Sequence, residues 1–217
     1  MAKWIVAIDG PAAAGKGTLA RRMAAHLDLP YLDTGLLYRA VGRRVLNAGD
    51  SPADKAAAER AAQTLRPEDM ERTDLRVPEV DAAASTVADV SGVRAALLDF
   101  QRRFGTELGA VLDGRDIGTV IFPNADLKLF VTASPGERAR RRWLELKGRG
   151  LNADLAEVER DIRARDARDI ARAASPLIAA PDAIEIDTTH LDADSAFARA
   201  LQAAATRFNL ANSDQVN

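Results

Sequence analysis

The sequence predicts an α/β fold, with one parallel sheet covered by helices on both faces. Three observations carry that expectation. Short apolar runs recur at Trp4–Ile8, Tyr31–Leu32, Ala110–Asp113, Leu127–Val131 and Ala183–Ile186, which gives five candidate strands. Between them lie longer stretches whose apolar residues return every three or four positions, the period of a helix with one buried face. The first run passes directly into Gly10-Pro11-Ala12-Ala13-Ala14-Gly15-Lys16-Gly17-Thr18, a glycine-bracketed loop that opens a helix.

The elements follow in order. Leu19, Met23 and Leu27 form the core stripe of the first helix, which ends near Asp28-Leu29-Pro30. Tyr31-Leu32 leads to Asp33-Thr34-Gly35, and a helix beginning near Leu36 runs to about Asn47–Asp50. Residues 50–80 are the least regular part: a helix over Ala53–Leu65, then a charged stretch with Pro67 and Pro78 in which Leu75-Arg76-Val77 could form a strand. Ala82–Phe104 reads as one helix. Ala110–Asp113 ends in a carboxylate, as buried parallel strands do when they deliver a residue to the ligand edge of a sheet. The last helix is marked by Phe197, Leu201, Ala204 and Phe208, and the polar tail Asn212–Asn217 is expected to fray. Without repeats or a low-complexity linker, the chain reads as one core domain with excursions.

Composition narrows the function classes. The 217 residues are 47% hydrophobic and 29% charged, ordinary values for a globular chain large enough to bury a core. A formal net charge of −2 argues against a general nucleic-acid binder, which carries a basic excess. Cysteine is absent, which removes disulfides and thiolate chemistry, and the two histidines, His26 and His190, lie too far apart in sequence to suggest zinc. No 18-residue apolar run occurs and the N-terminus leads straight into a strand, so neither a membrane span nor a signal peptide is expected. A cytoplasmic protein follows. Only five of the 30 basic residues are lysines, a bias that a GC-rich genome explains together with the abundant alanine.

The loop at Gly10–Thr18 turns backbone N–H groups inward, and the helix behind it adds its positive dipole end, so a polyphosphate fits the concavity. Lys16 can reach the β- and γ-phosphates, and the Thr18 hydroxyl can touch a magnesium ion or its water shell. Gly17 stands where the general pattern has Ser or Thr, the GKGT variant of nucleoside monophosphate kinases. Phosphoryl transfer needs cationic groups on both sides, because donor and acceptor are anions held in line. Four segments could supply the second side. Thr34 and Arg39 lie one turn apart, although a plain cap and a solvated arginine would look the same. Asp113-Gly-Arg115-Asp116 concentrates polar groups at a strand end, with Asp113 placed to orient magnesium waters. Glu137-Arg138-Ala-Arg140-Arg141-Arg142 would ordinarily be a solvated helix face or a nucleic-acid patch, but beside a phosphate loop in a chain of balanced charge it reads better as a mobile lid over the triphosphate. In the stripe Leu155, Val158, Ile162, Arg165, Asp169 and Arg172 the residues change from apolar to charged, so that end of the helix either lines a polar cleft or carries an Arg/Asp ladder.

GPAAAGKGT, LDTGLLYR, DGRDIGTVIFPNADLKLFV, ERARRR and RDARDIARAASPL, in this order, closely resemble the bacterial cytidylate kinases over nearly the whole chain. The resemblance implies a P-loop fold with a five-stranded parallel sheet and transfer of the ATP γ-phosphoryl group to CMP or dCMP, with Mg2+. It implies a single kinase domain over 1–217: a core at about 1–46, 105–137 and 173–211, a monophosphate-binding insertion at about 47–104, and a lid at about 138–172. The insertion is shorter than in many members. Residue by residue, Gly10, Pro11, Ala12, Ala13, Ala14, Gly15, Lys16, Gly17 and Thr18 would hold ATP, and Thr18 and Asp113 the metal, directly or through water. Thr34, Tyr38, Arg39, Ser85, Arg94, Arg115, Asp116, Arg165, Asp169 and Arg172 would hold the acceptor. Within that set Arg39, Arg115 and Arg172 would take its phosphate, Ser85, Arg94 and Asp116 the cytosine, and Arg165 and Asp169 the sugar side. Lys16, Arg138, Arg141 and Arg142 would be catalytic. No nucleic-acid or membrane partner and a monomeric state are expected. Rival readings are a kinase for UMP, AMP or shikimate, a GTP-hydrolysing switch (for which an NKxD-type motif is missing), and a non-catalytic nucleotide-binding module.

Overall fold

The apolar runs pair into one five-stranded parallel sheet of order β2-β3-β1-β4-β5. Its strands are β1 (Ile5–Asp9), β2 (Tyr31–Asp33), β3 (Ala110–Gly114), β4 (Leu127–Thr132) and β5 (Ile184–Asp187). The computed structural model describes residues 3–173 and 175–208; the tail Asn212–Asn217 lies outside them. β1 is central, with Val6, Ala7 and Ile8 fully buried, which is why its sequence is a continuous apolar run rather than an alternation. The register pairs Ile8 with Asp113 and Asp9 with Gly114. The loops leaving β1 and β3 therefore emerge side by side at the carboxyl edge of the sheet, where open α/β folds bind ligands.

The helices are α1 (Lys16–Leu27), α2 (Thr34–Asn47), α3 (Lys55–Gln63), α4 (Pro67–Met70), α5 (Pro78–Val87), α6 (Ser91–Leu108), α7 (Pro135–Gly148), α8 (Leu155–Ala171) and α9 (Ala193–Phe208). A π-helical turn, Ile117–Ile121, follows β3. The chain divides into two compact units, Met1–Leu32 with Leu108–Asn217, and Asp33–Glu107. In the first, Leu19, Ala20 and Met23 of α1 and Ala200, Ala203 and Ala204 of α9 pack with the sheet residues Val6, Ile8, Val111 and Leu129. A satellite cluster joins Ala139 and Leu146 of α7 to Val158 and Ile162 of α8. In the second unit, Leu37, Val41 and Val45 of α2 meet Ala58, Ala61 and Ala62 of α3, with Val87, Val93 and Leu97 closing the core.

Three sequence expectations change. Ala82–Phe104 is not one helix: α5 ends at Val87 and α6 starts at Ser91. The break brings Gly92 against α3, where an added Cβ would lie 2.2 Å from the Glu59 carboxyl group. Leu75-Arg76-Val77 is not a strand. Val77 is extended (φ −99°, ψ 155°) because it precedes Pro78 at the start of α5, and one extended residue forms no ladder. Leu155, expected on the buried stripe of α8, is 41% exposed at the first turn, whereas Val158 and Ile162 are buried.

Candidate active site

The loop after β1 is built from unusual backbone. Gly10 has φ 144°, and a Cβ there would fall 1.9 Å from the Val131 carbonyl oxygen, so no other residue fits. Ala13 (φ 60°) and Gly15 (φ 94°) are left-handed. For alanine this conformation costs about 1–2 kcal/mol, a strain typical of ligand-holding loops. Gly15 caps α1 with no side-chain hydrogen bond, which leaves the first-turn N–H groups to meet an anion. Lys16 folds back over this loop, its Nζ donating to the Pro11 carbonyl at 2.7 Å. Burial pushes its ammonium well below the usual lysine range; Arg115 and Arg165 push the same way, and Asp113 and Asp9 oppose them. A cation held under these conditions gains most from a multiply charged anion.

Beside it, the strand end of β3 presents Asp113, which is buried and accepts from the Tyr31 hydroxyl at 2.9 Å. Arg115 and Asp116 follow, and Asp116 is buried at the entrance to the π-turn. Arg115 reaches across to α8, its Nε donating to Asp169 Oδ2 at 3.0 Å, while Arg172 Nη2 donates to Asp169 Oδ1 at 2.6 Å. Burial alone would raise the Asp169 carboxyl, but Arg115, Arg165 and Arg172 outweigh it and hold it below the ordinary range. The charged end of α8 thus joins an i,i+3 pair to a long-range one. Three guanidiniums act on a single carboxylate, and two of them, Arg115 and Arg165, also act on Lys16.

The arginines of α7 have separate surroundings. Arg138 is buried, donates to the carbonyls of Ala133 (2.9 Å) and Ala12 (3.3 Å), and makes a two-point pair with Asp166 (3.0 and 2.6 Å). Arg141 donates to Glu137 (2.8 Å), to the Thr188 hydroxyl (2.9 Å) and carbonyl (2.6 Å), and at 3.5 Å to the Ala14 carbonyl. A peptide is planar and trans, so holding the Ala12 and Ala14 carbonyls turns the Ala13 and Gly15 N–H groups away from the arginines. Arg142 pairs with Glu145 at 2.8 Å. Hydrogen bonding to Arg140, then to Arg141, lowers the Glu137 carboxyl to about 2. A cavity of about 320 Å3 opens beside the loop, lined by Gly15, Thr18, Leu19, Arg141, Thr188 and Leu191.

The unit Asp33–Glu107 carries the other residues named from sequence. Thr34 is buried at the start of α2, where Asp33 accepts the Leu36 N–H at 3.2 Å and a bond from Arg76 at 2.7 Å. Arg39 Nε donates to Asp81 at 2.8 Å. The Arg94 guanidinium lies 5.5 Å from the Tyr38 ring centroid and donates to the Ala88 carbonyl at 3.4 Å. The Ser85 hydroxyl is buried with no hydrogen-bond partner among the described residues, a cost that a polar ligand would remove.

A family model described as cytidylate kinase matches residues 6–206. The chain belongs to the cytidylate kinase family. It is 61% identical over 196 residues to the cytidylate kinase of Acidiphilium cryptum, covering 90% of this chain and 92% of that one. Against the cytidylate kinase of Paramagnetospirillum magneticum it is 61% identical over 201 residues, 91% and 95% of the two chains. Among solved structures, an uncharacterized protein from Eubacterium ventriosum aligns with a TM-score of 0.54 at 16% identity, over 93% of this chain and 97% of that one, a likeness of fold alone.

Four residues that the structure ties to these segments were not singled out from sequence: Asp9, Tyr31, Arg76 and Thr188. Asp9 carried a signal, since an acid ends the apolar run before Gly10 just as Asp113 ends the run before Gly114. Tyr31, Arg76 and Thr188 carried none. Their partners lie 82, 43 and 174 residues away (Asp113, Asp33 and Ala14), and no local pattern reports such pairings.

Proposed function

We propose that this protein transfers the γ-phosphoryl group of ATP to CMP or dCMP, yielding ADP and CDP or dCDP. The observation that carries the reading is a second cationic group next to the phosphate loop: Arg115, Arg165 and Arg172 around Asp169, with Arg115 and Arg165 close enough to depress Lys16. A module that only binds a nucleotide has no use for it. In this reading Gly10–Thr18 hold the triphosphate, the cavity beside Gly15 and Thr188 takes the purine, and Arg138, Arg141 and Arg142 serve the transferring phosphoryl group, with Arg138 and Arg141 also bracing the loop through the Ala12 and Ala14 carbonyls. Arg39, Arg115 and Arg172 hold the acceptor phosphate, and Thr34, Tyr38, Arg165 and Asp169 its sugar side.

The acceptor phosphate is already ionised, so no general base is needed and charge stabilisation by Lys16 and the arginines dominates. Mg2+ fits the donors present: a hydroxyl on Thr18 and a carboxylate on Asp113, hard oxygen ligands of the kind magnesium takes, directly or through water. When bound it would neutralise phosphate charge. Cytosine is read by Asp116, which can accept its N4 amino group, with Ser85 and Arg94 on the ring. Uracil offers an acceptor there and would leave the carboxylate facing a lone pair. We propose that the enzyme works in the cytoplasm as a monomer; a chain without cysteine has no disulfide to maintain and suits a reducing compartment.

The test is product identity. Incubated with ATP, Mg2+ and CMP, the protein is expected to form CDP and ADP in equal amounts, resolved by anion exchange. ADP without CDP would overturn the reading.

A further inference from the structure

Asp9 ends β1 immediately before the phosphate loop, and both of its oxygens accept bonds from the turn after β3. Oδ1 accepts the Ile117 N–H at 2.8 Å and Oδ2 the Gly118 N–H at 2.7 Å. These are the first two N–H groups of the π-turn. The turn's own bonds run from Val120 and Ile121 to the Asp116 carbonyl and from Phe122 to the Ile117 carbonyl, and use neither of them. Ile117 is fully buried, so without Asp9 its N–H would have lost water with nothing in return. Two acceptors and no donor, on a stem short enough for this gap, is the description of an aspartate.

We propose that Asp9 is a positioning residue for base selection: by holding the Ile117 and Gly118 N–H groups it fixes Arg115 and Asp116, the two residues just before the turn, to the strand that carries the phosphate loop. The inference rests on the cytidylate-kinase reading above. Its physical sense is alignment. Donor phosphates are set by the end of β1 and acceptor contacts by the end of β3, and Asp9 is a side-chain tie from one to the other, alongside the backbone ladder. The turn has little room to drift. A Cβ added at Gly118 would lie 3.1 Å from the Lys128 stem and 3.4 Å from Asp9 Oδ2. The tie is maintained at a cost, because burial raises the Asp9 carboxyl to about 6, against the two backbone bonds. Asp116 adds to that rise and Lys16 opposes it. A residue serving packing alone would not need the charge.

Asp9→Asn keeps shape and volume but turns an NH2 toward one of the two N–H groups, releasing that side of the turn. A displacement near 1 Å in a substrate-positioning group costs up to about 100-fold in rate. The expected result is a fall of about 10–100-fold in kcat/KM for CMP, a CMP-to-UMP ratio narrowed by at least about 5-fold, and KM for ATP changed by less than about 3-fold. Asp9→Glu, which keeps both acceptors but lengthens the stem, should also narrow the ratio, and it decides the matter if the Asn variant does not fold. In a cycle with Asp116→Ala, the effects on the ratio should be non-additive, since Asp9 acts through Asp116. An unchanged CMP-to-UMP ratio in the folded variant, whatever happens to the overall rate or to Tm, would overturn the inference. The wild-type protein separates the two levels: if it makes no CDP the functional reading fails, and if it makes CDP while the variant keeps the ratio, only the role of Asp9 fails.

Discussion

Lys16 and Asp9 are a buried cation and a buried anion a few residues apart, each held where its charge is disfavoured. Burying a charge costs stability, and strained or costly groups of this kind cluster at functional sites. Lys16→Met removes the buried ammonium and keeps most of its volume. We expect kcat to fall by about 10²–10³-fold, the scale for losing one partner of transition-state charge, with Tm unchanged or higher. Steady-state kinetics retaining more than about a tenth of wild-type kcat, on protein with native circular dichroism, would contradict this. Asp9 gives a pH signature. Its folded value of about 6 lies above the 3.8 of an unperturbed aspartate, so between these values the native state binds the extra proton. Stability contributed by this group therefore rises as pH falls through 6, the reverse of a salt-bridged carboxylate such as Glu137, whose contribution is lost as pH falls toward 2. Thermal melts of wild type and Asp9→Asn from pH 7 to pH 5 should show the difference in Tm moving in favour of wild type. A constant difference would mean that Asp9 does not titrate in that window.

The elements show what can be read from sequence and what cannot. α8 was legible in its essentials: the stripe Val158, Ile162, Arg165, Asp169 changes from apolar to charged, and its charged end meets Arg115 in the strand-end turn. Periodicity reports which face of a helix is turned inward, whether it meets oil or ions. The five strands were legible for the same reason, being apolar runs at the centre of a covered sheet. The break between α5 and α6 was obscured because apolar spacing continues on both sides of it, and the chain turns there to bring Gly92 to Glu59, a neighbour 33 residues away. The surroundings of the α7 arginines were illegible too. Arg138 and Arg142 look alike in sequence, yet one holds Asp166 and a loop carbonyl and the other pairs with Glu145 within its own helix. The pairing of α8 with the turn after β3 yields a prediction: Arg115→Ala or Arg172→Ala should raise KM for CMP by about 10-fold or more, the scale of losing a charge-assisted bond, and KM for ATP far less. If the two constants rise together, or only that for ATP rises, these arginines serve the donor or the fold.

At the scale of the whole molecule, the two units each have a separate core, one around the sheet and one around α2. The phosphate loop, Lys16, Asp113 and the arginines of α7 and α8 belong to the first unit. Thr34, Tyr38, Arg39, Ser85 and Arg94 belong to the second. Membership of the cytidylate kinase family requires that the chain select a cytidine monophosphate as acceptor. The measurement that tests it most directly is ADP release by the wild-type protein in a coupled assay, with ATP and Mg2+ constant and CMP, dCMP, UMP and AMP compared by kcat/KM. CMP and dCMP should come well ahead, by about 10-fold or more over UMP and further over AMP, since a buried carboxylate that reads the cytosine amino group penalises the wrong edge. Equal values for CMP and UMP, or a preference for AMP, would contradict it.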